Sequence, residues 1–135
     1  MKKLILAVCL LISSQAFALR TSNAPIITAG DMSGNIASVP VLIDQSQMIS
    51  IQAVFTGSPT GTLKVQISDD PGKLLSGTPS GIVNWSDYTG SSVAVSAAGN
   101  QAFDIWAIGA KWIRIVYTAS GGSGSLSATA QTKGP

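Results

Sequence analysis

The residue types in this chain limit the chemistry that it can perform. The sequence holds no histidine and no glutamate, and its only cysteine is Cys9. Without histidine there is no Ser–His or Cys–His pair to activate a nucleophile. Carboxylate catalysis of the glycosidase type would require Asp69, Asp87 and Asp104 to meet in one cleft. The sequence therefore predicts that the protein is not an enzyme.

Aspartates near predicted loops raise the question of calcium, which prefers oxygen ligands. Asp69, Asp70 and Asp87 are the candidate ligands, and loop carbonyls would complete a site around them. The chain has no dense D-x-D-x-D spacing, however, and the segment from Asp69 to Gly72 is also an ordinary turn sequence. We expect no cofactor. The one exception that the sequence leaves open is calcium bound by these three aspartates.

Large aromatic side chains supply the candidate binding residues. Strand alternation places Trp106 on the face opposite Phe103, which makes Trp106 the best candidate for a contact surface. Trp112 and Arg114 lie two residues apart on one predicted face, a spacing that suits a cation–π pair. Core packing is the alternative role for any such ring. The complete candidate set is Trp85, Asp87, Tyr88, Trp106, Trp112 and Arg114.

The first residues have the three parts of a secretory signal peptide. A positive head is followed by an apolar run from Leu4 to Ile12 and by Ala16-Phe17-Ala18, an A-x-A cleavage signal. The run is too short to anchor the chain in a bilayer, which takes about 20 residues. We therefore expect residues 1–18 to be cleaved after export through the Sec pathway. The protein would then be periplasmic, on the outer surface or extracellular.

Removal of the signal peptide changes what the composition implies. Cys9 leaves with it, so the exported chain can form no disulfide. Lys2 and Lys3 leave as well, and the eight cations of the full sequence fall to six, which balance its six anions. A chain without net charge lacks the basic surface that nucleic acids need. It also repels copies of itself weakly, which suits self-association, and no second apolar span predicts membrane insertion.

The pattern of the remaining chain is that of an all-β domain. Residues 47–55 and 62–68 alternate between apolar and polar positions, as strands with one buried face do. A further strand is predicted at 82–88, and residues 111–118, which are mostly apolar on both faces, are predicted to form a central strand. We predict a flexible arm at 19–24 and a single domain at 25–135 with about eight or nine short strands. The expected architecture is a two-sheet antiparallel sandwich, similar to a jelly roll. The longest irregular stretch, residues 69–81, is a candidate functional loop.

Several ordered motifs resemble a known group of proteins. They are GTLKVQISDDP at 61–71, VNWSD at 83–87, KWIRIVYT at 111–118, SGSL at 123–126 and KG at 133–134. In this order they resemble the short β-sandwich proteins, virion- or tail-associated, of tailed-phage genomes and some exported bacterial proteins. A looser resemblance is to discoidin-like galactose-binding sandwiches. The first resemblance implies a module that assembles or mediates attachment and has no catalytic residues, and the predicted signal peptide implies an exported bacterial relative.

Two functions follow as expectations. The first is a non-catalytic structural or attachment module that associates with copies of itself or docks on a surface or larger, virion-like assembly. The second is a monomeric carbohydrate-binding module that uses the loop at 69–81 and an exposed tryptophan. Self-association requires an apolar outer patch or an open strand edge. Glycan binding requires an exposed ring beside polar groups at one end of the sandwich.

Overall fold

A computed structural model describes residues 21–43, 46, 48–106 and 109–134. The predicted signal peptide lies outside the described residues. Within them, no helix has the length and apolar character needed to cross a membrane.

The described residues form twelve β-strands. In chain order they are β1 (Thr21–Asp31), β2 (Ile36–Ala37), β3 (Val41–Leu42), β4 (Met48–Phe55), β5 (Thr60–Ser68), β6 (Lys73–Leu75), β7 (Thr78–Ser80), β8 (Ser86–Asp87), β9 (Val93–Val95), β10 (Gly99–Trp106), β11 (Trp112–Gly121) and β12 (Ser125–Lys133).

Two antiparallel sheets make up the body of the molecule. The first, which we call sheet 1, has the strand order β1-β12-β4-β10. The second, sheet 2, has the order β2-β11-β5-β8, with β3 also paired to β11 and β9 also paired to β5. The chain crosses repeatedly between the sheets so that neighbouring strands are distant in sequence, which is the winding of a jelly roll. The predicted all-β sandwich is confirmed.

Apolar alternation explains why these strands face one another. On β4, Ile49, Ile51 and Ala53 are fully buried, and on β11 Ile113 and Ile115 are fully buried as well. They belong to one core cluster between the sheets, to which every long strand contributes. Side chains at the alternate positions must then lie on the outer faces of the sheets. The central place predicted for β11 is confirmed, since it lies between β5 and the pair β2 and β3.

Three local differences from the predicted strands have physical causes. β1 begins at Thr21, although residues 21–24 were expected to belong to a flexible arm. These residues pair with the end of β12, where Thr21 lies opposite Lys133. The predicted strand at 82–88 is reduced to β8, because only two of its residues pair with β5. The irregular stretch at 69–81 contains a separate hairpin of β6 and β7. Its turn residues Ser76 and Gly77 both have positive φ, 51° and 81°, as a tight two-residue hairpin requires.

Candidate functional site

The structure distributes the six candidate binding residues over three places. Trp85, Asp87 and Arg114 meet on the outer face of sheet 2. Trp112 lies beside them but is buried, with 1% of its surface exposed. Trp106 stands apart at the end of β10 in sheet 1. Tyr88 is half-buried and packs against the core between the sheets.

A chain of polar contacts crosses the outer face of sheet 2, and we call it the clasp. The Arg114 guanidinium lies over the Trp85 ring, 4.2 Å from its centroid. Arg114 Nε donates to Gln66 Oε1 at 2.9 Å, and Gln66 Nε2 donates to Asp87 Oδ1 at 2.8 Å. Lys64 Nζ completes the row with a 2.8 Å ion pair to Asp87 Oδ2. The clasp therefore ties β5, β8, β11 and the Trp85 segment together.

The electrostatics of the clasp are those of charges satisfied within the chain. Hydrogen bonds from Lys64 and then from Gln66 lower the pKa of Asp87 below its usual range. Burial lowers the pKa of Arg114, since the protein surroundings stabilise the charged guanidinium less than water does. Each charged group already has a partner in the chain, so this face offers little unpaired charge to a ligand.

Trp112 is covered by the loop that follows β5. Its indole Nε1 donates to the Asp70 carbonyl at 3.1 Å. A Cβ on Gly72 would lie 2.9 Å from that same nitrogen and 2.6 Å from Ile82 Cγ1, so the backbone of the loop passes directly over the ring. The predicted pair of Trp112 with Arg114 is wrong, because the loop takes the face of Trp112 and Arg114 turns to Trp85. The cation near Trp112 is instead Lys111, whose Nζ lies 5.8 Å from the centroid of the ring.

The Asp70 carboxylate fastens the far end of the same loop. Its Oδ2 accepts the backbone N–H of Val83 at 2.6 Å and that of Asn84 at 2.7 Å. Its Oδ1 accepts the Asn84 side-chain amide at 3.0 Å. The two hydrogen bonds from Asn84 and then that from Val83 lower the pKa of Asp70. The loop at 69–85 is thus held to the outer face of sheet 2 at both ends.

The three candidate calcium ligands do not converge. Asp70 accepts hydrogen bonds within its loop, Asp87 belongs to the clasp, and Asp69 Oδ1 accepts the backbone N–H of Lys111 at 3.3 Å. Within the described ranges, no group of three acidic, histidine or cysteine side chains is placed to hold a metal ion. Asp104 points outward on sheet 1 and Asp87 lies on sheet 2, so the carboxylates do not form one cleft either.

A groove of about 340 Å³ opens beside the anchored loop. Polar residues line most of it, and no aromatic ring is among them: Ile67, Ser68, Asp69, Asp70, Pro71, Asn84 and Ser86. The nearby Trp85 is half-buried, and Arg114 occupies one face of its ring. The exposed ring and the polar groups that a glycan site combines are therefore not found together at this end.

The outer face of sheet 1 is open by contrast. Trp106 at the end of β10 is 66% exposed and stands opposite Met48 of β4, which in turn stands opposite Lys133 of β12. Lys133 and Asp104 are the only charged side chains that β4, β10 and β12 carry on this face. The rest of it on those strands is small or uncharged: Ser50, Gln52, Val54, Asn100, Ala102, Ser125, Ser127, Thr129 and Gln131.

The hairpin of β6 and β7 is a second exposed apolar feature. Leu74 and Leu75 are adjacent in β6, so they point to opposite sides, yet they are 50% and 59% exposed. Val83, at the end of the same loop, is 77% exposed. The hairpin was not predicted from the sequence. The signal that would have found it is Ser76-Gly77, a turn dipeptide between two short runs.

Known proteins resemble this chain in structure and not in sequence. Neither the family models nor the curated protein sequences contain a match to this chain. Among solved structures, the PBSX exported protein XepA has a TM-score of 0.56 and 9% identity, over 84% of this chain and 37% of XepA. The SPBc2 prophage-derived protein YomS has a TM-score of 0.47 and 12% identity, over 83% of this chain and 93% of YomS. The likeness to XepA shows a shared fold, and the resemblance to phage-type β-sandwiches is confirmed at that level.

Proposed function

We propose that this protein is an exported, non-catalytic structural or attachment module. It associates with copies of itself, or docks on a larger assembly, through the side of sheet 1 that carries Trp106. The observation that supports this most directly is the 66% exposure of Trp106 on a broad face with almost no charge. Tryptophan is enriched in contact surfaces because it buries a large area at a small entropic cost.

The arrangement of the polar groups supports a structural role over a catalytic one. Asp70, Asp87 and Arg114 all use their polar atoms to fasten strands or loops within the chain. Catalysis would need such a group to be directed into a cleft towards a substrate. The outer face of sheet 1, which the described part of the chain leaves uncovered, carries little charge, which is the character of a contact surface rather than of a reaction site.

Export is the part of the proposal that rests on the sequence. The positive head, apolar run and A-x-A site at residues 1–18 are the basis for it. XepA, which shares the fold, is named as an exported protein. A cell-fractionation experiment on the intact gene product, with the N-terminal residue determined by mass spectrometry, tests this step. A mature N-terminus at Leu19 is expected, and an uncleaved chain in the cytoplasm would contradict it.

Light scattering over a concentration series tests association. We expect the mass of the purified protein, processed as the cell processes it, to rise above that of one chain. Trp106→Ser should weaken the association, whereas Leu75→Ser, which removes a similarly exposed apolar side chain from the β6–β7 hairpin, should leave it unchanged. Equal effects of the two variants on the association would mean that the contact does not lie on sheet 1.

A monomer at every concentration would contradict self-association. The polar groove of about 340 Å³ then becomes the place to look for a ligand. A glycan-binding screen with and without calcium would test the carbohydrate-binding alternative, with Asn84→Ala as the groove variant. Binding that survives Asn84→Ala would exclude the groove as the glycan site.

A further inference from the structure

The two sheets have four edges, and three of them are protected against pairing with another strand. Sheet 2 ends in fragments of two or three residues: β2 and β3 on one side, β8 and β9 on the other. Sheet 1 ends on one side in β1, which carries Pro25 and two register shifts. Val39 N–H also donates to the Ile26 carbonyl on that strand, at 3.3 Å. Short strands, proline and bulges are the devices by which natural sheets prevent edge pairing.

β10, the fourth edge, has none of these devices. It pairs with β4 over eight consecutive residues, from Gly99 to Trp106, without a register shift. It contains neither proline nor lysine, and its single charge is Asp104. No strand in the described part of the chain pairs with its other side. Alternate backbone N–H and C=O groups along that side are therefore available to a further strand.

The space beside β10 gives access to this edge. A groove of about 240 Å³ separates residues 101–105 of β10 from the turn between β8 and β9, which includes Tyr88 and Gly90. One local hydrogen bond is present, from Gln101 Nε2 to the Ala102 carbonyl at 2.8 Å. Because that amide is a surface side chain, an incoming strand can displace it.

We propose that β10 pairs antiparallel with β10 of a second copy about a two-fold axis, which joins the two copies of sheet 1 into one continuous sheet. The inference rests on the self-association proposed above and names its contact. A two-fold pairing is self-complementary, since each strand supplies the same donors and acceptors to the other. It also brings the exposed Trp106 of each copy into the contact region.

Charge restricts the register of this pairing. With Ala102 on the two-fold axis, Asp104 of one copy faces Asn100 of the other. With Phe103 on the axis, Asp104 faces Ala102. A register that places Asp104 on the axis would oppose two carboxylates and is disfavoured. Both allowed registers keep the one charge of the strand away from its own copy.

A lysine placed on the edge separates this proposal from packing of the outer faces. Ala102→Lys puts a lysine at the centre of the proposed pairing. It faces the same lysine of the other copy if Ala102 lies on the axis, and faces Asp104 of the other copy if Phe103 does. Gln52→Lys is the matched control, because Gln52 lies directly opposite Ala102 on the next strand inwards and both side chains are exposed on the same face. If Ala102 lies on the axis, we expect Ala102→Lys to weaken dimerisation roughly tenfold or more, because two lysines face each other. If Phe103 lies on the axis, the lysine faces Asp104 and dimerisation should instead be roughly two- to fivefold tighter. Gln52→Lys should leave dimerisation within about twofold in either register.

Hydrogen exchange provides a readout that does not depend on a variant. The outward amides of β10 should become more protected as protein concentration rises, while those of β1 should not change. Equal effects of the two lysine variants on dimerisation, or no change in protection of β10, would overturn the edge pairing and leave self-association through the face intact. A wild-type protein that stays monomeric would overturn both. Unfolding midpoints of the two variants confirm that each is folded.

Discussion

The outer faces of the two sheets are used in opposite ways. On sheet 2, Arg114, Gln66 and Asp87 bind one another across the strands, and the loop at 69–85 covers Trp112. On sheet 1, Trp106 is exposed and the face has little charge. Both faces carry tryptophan and polar residues, so composition does not separate them. What separates them is whether the chain supplies partners for its own side chains.

This difference indicates where a partner can bind. A surface whose polar groups are already paired loses hydrogen bonds when it is covered, and the gain from contact is small. A surface of uncharged side chains beside an exposed indole loses less on contact and buries more apolar area. The comparison therefore favours sheet 1 as the face that meets another molecule and sheet 2 as the face that holds the loop.

Removal of the buried indole should have the largest effect. We expect Trp112→Ala to lower the free energy of unfolding by about 3–5 kcal/mol, since it leaves a cavity beneath the loop. Trp106→Ala is the matched control and should change it by less than about 0.5 kcal/mol, because Trp106 is mostly exposed. Urea denaturation of both variants measures this. Similar losses in the two would mean that the faces do not differ as described.

The stability that Asp70 contributes by anchoring the loop should be lost at acid pH. Because its folded pKa lies below its ordinary value, Asp70 contributes stability that is present above about pH 4 and is lost as pH falls through the folded pKa. Asp70→Asn should reduce the pH dependence of stability in this range and speed amide exchange at Val83 and Asn84. Asp104→Asn, outside the loop, is the control. If Asp70→Asn leaves the loss of stability at acid pH unchanged, the loop is held by Trp112 alone.

Breaking the clasp should have a smaller effect. A double-mutant cycle of Trp85→Leu and Arg114→Met should give a coupling of about 0.5–1 kcal/mol, the range for cation–π pairs at partly exposed sites. Thermal unfolding of the four proteins measures it. A cycle of Lys111→Met with Trp112→Phe is the comparison, and its longer 5.8 Å separation should give a weaker coupling. A stronger coupling of Lys111 with Trp112 than of Arg114 with Trp85 would contradict the order of the two distances.

The smallest effect distinguishes the two registers at the edge of sheet 1. If Ala102 lies on the two-fold axis, Asn100→Lys places a lysine opposite Asp104 in both halves of the dimer. The dimer should then be roughly two- to fivefold tighter, by analogy with opposite charges across strands. Sedimentation in low and high salt checks this, since the gain should disappear at high salt. A weaker dimer would instead place Phe103 on the axis and Trp106 opposite residue 100.

The fold was largely predictable because it depends on local patterns. Alternation along residues 47–55 and 111–118 predicted both β4 and β11 with their buried faces. The arm at 19–24 was wrong for residues 21–24, because pairing with the end of β12 is a long-range contact that polar residues on an edge strand do not reveal. The candidate site was less predictable. Trp85 and Arg114 were both chosen, but their contact with each other was not.

The sequence by itself determined the class of the fold and the chemistry that is available. Two-residue periodicity specifies strands and their core faces, and the lack of histidine removes whole classes of catalysis. Only the tertiary structure decided which tryptophan is covered, which aspartate is anchored and which sheet edge is unprotected. These outcomes depend on contacts such as that of Trp112 with Asp70, 42 residues apart in the chain. The two-residue alternation along a strand determines on which face of the sheet a side chain lies. Only the path of a distant loop determines whether that face is open.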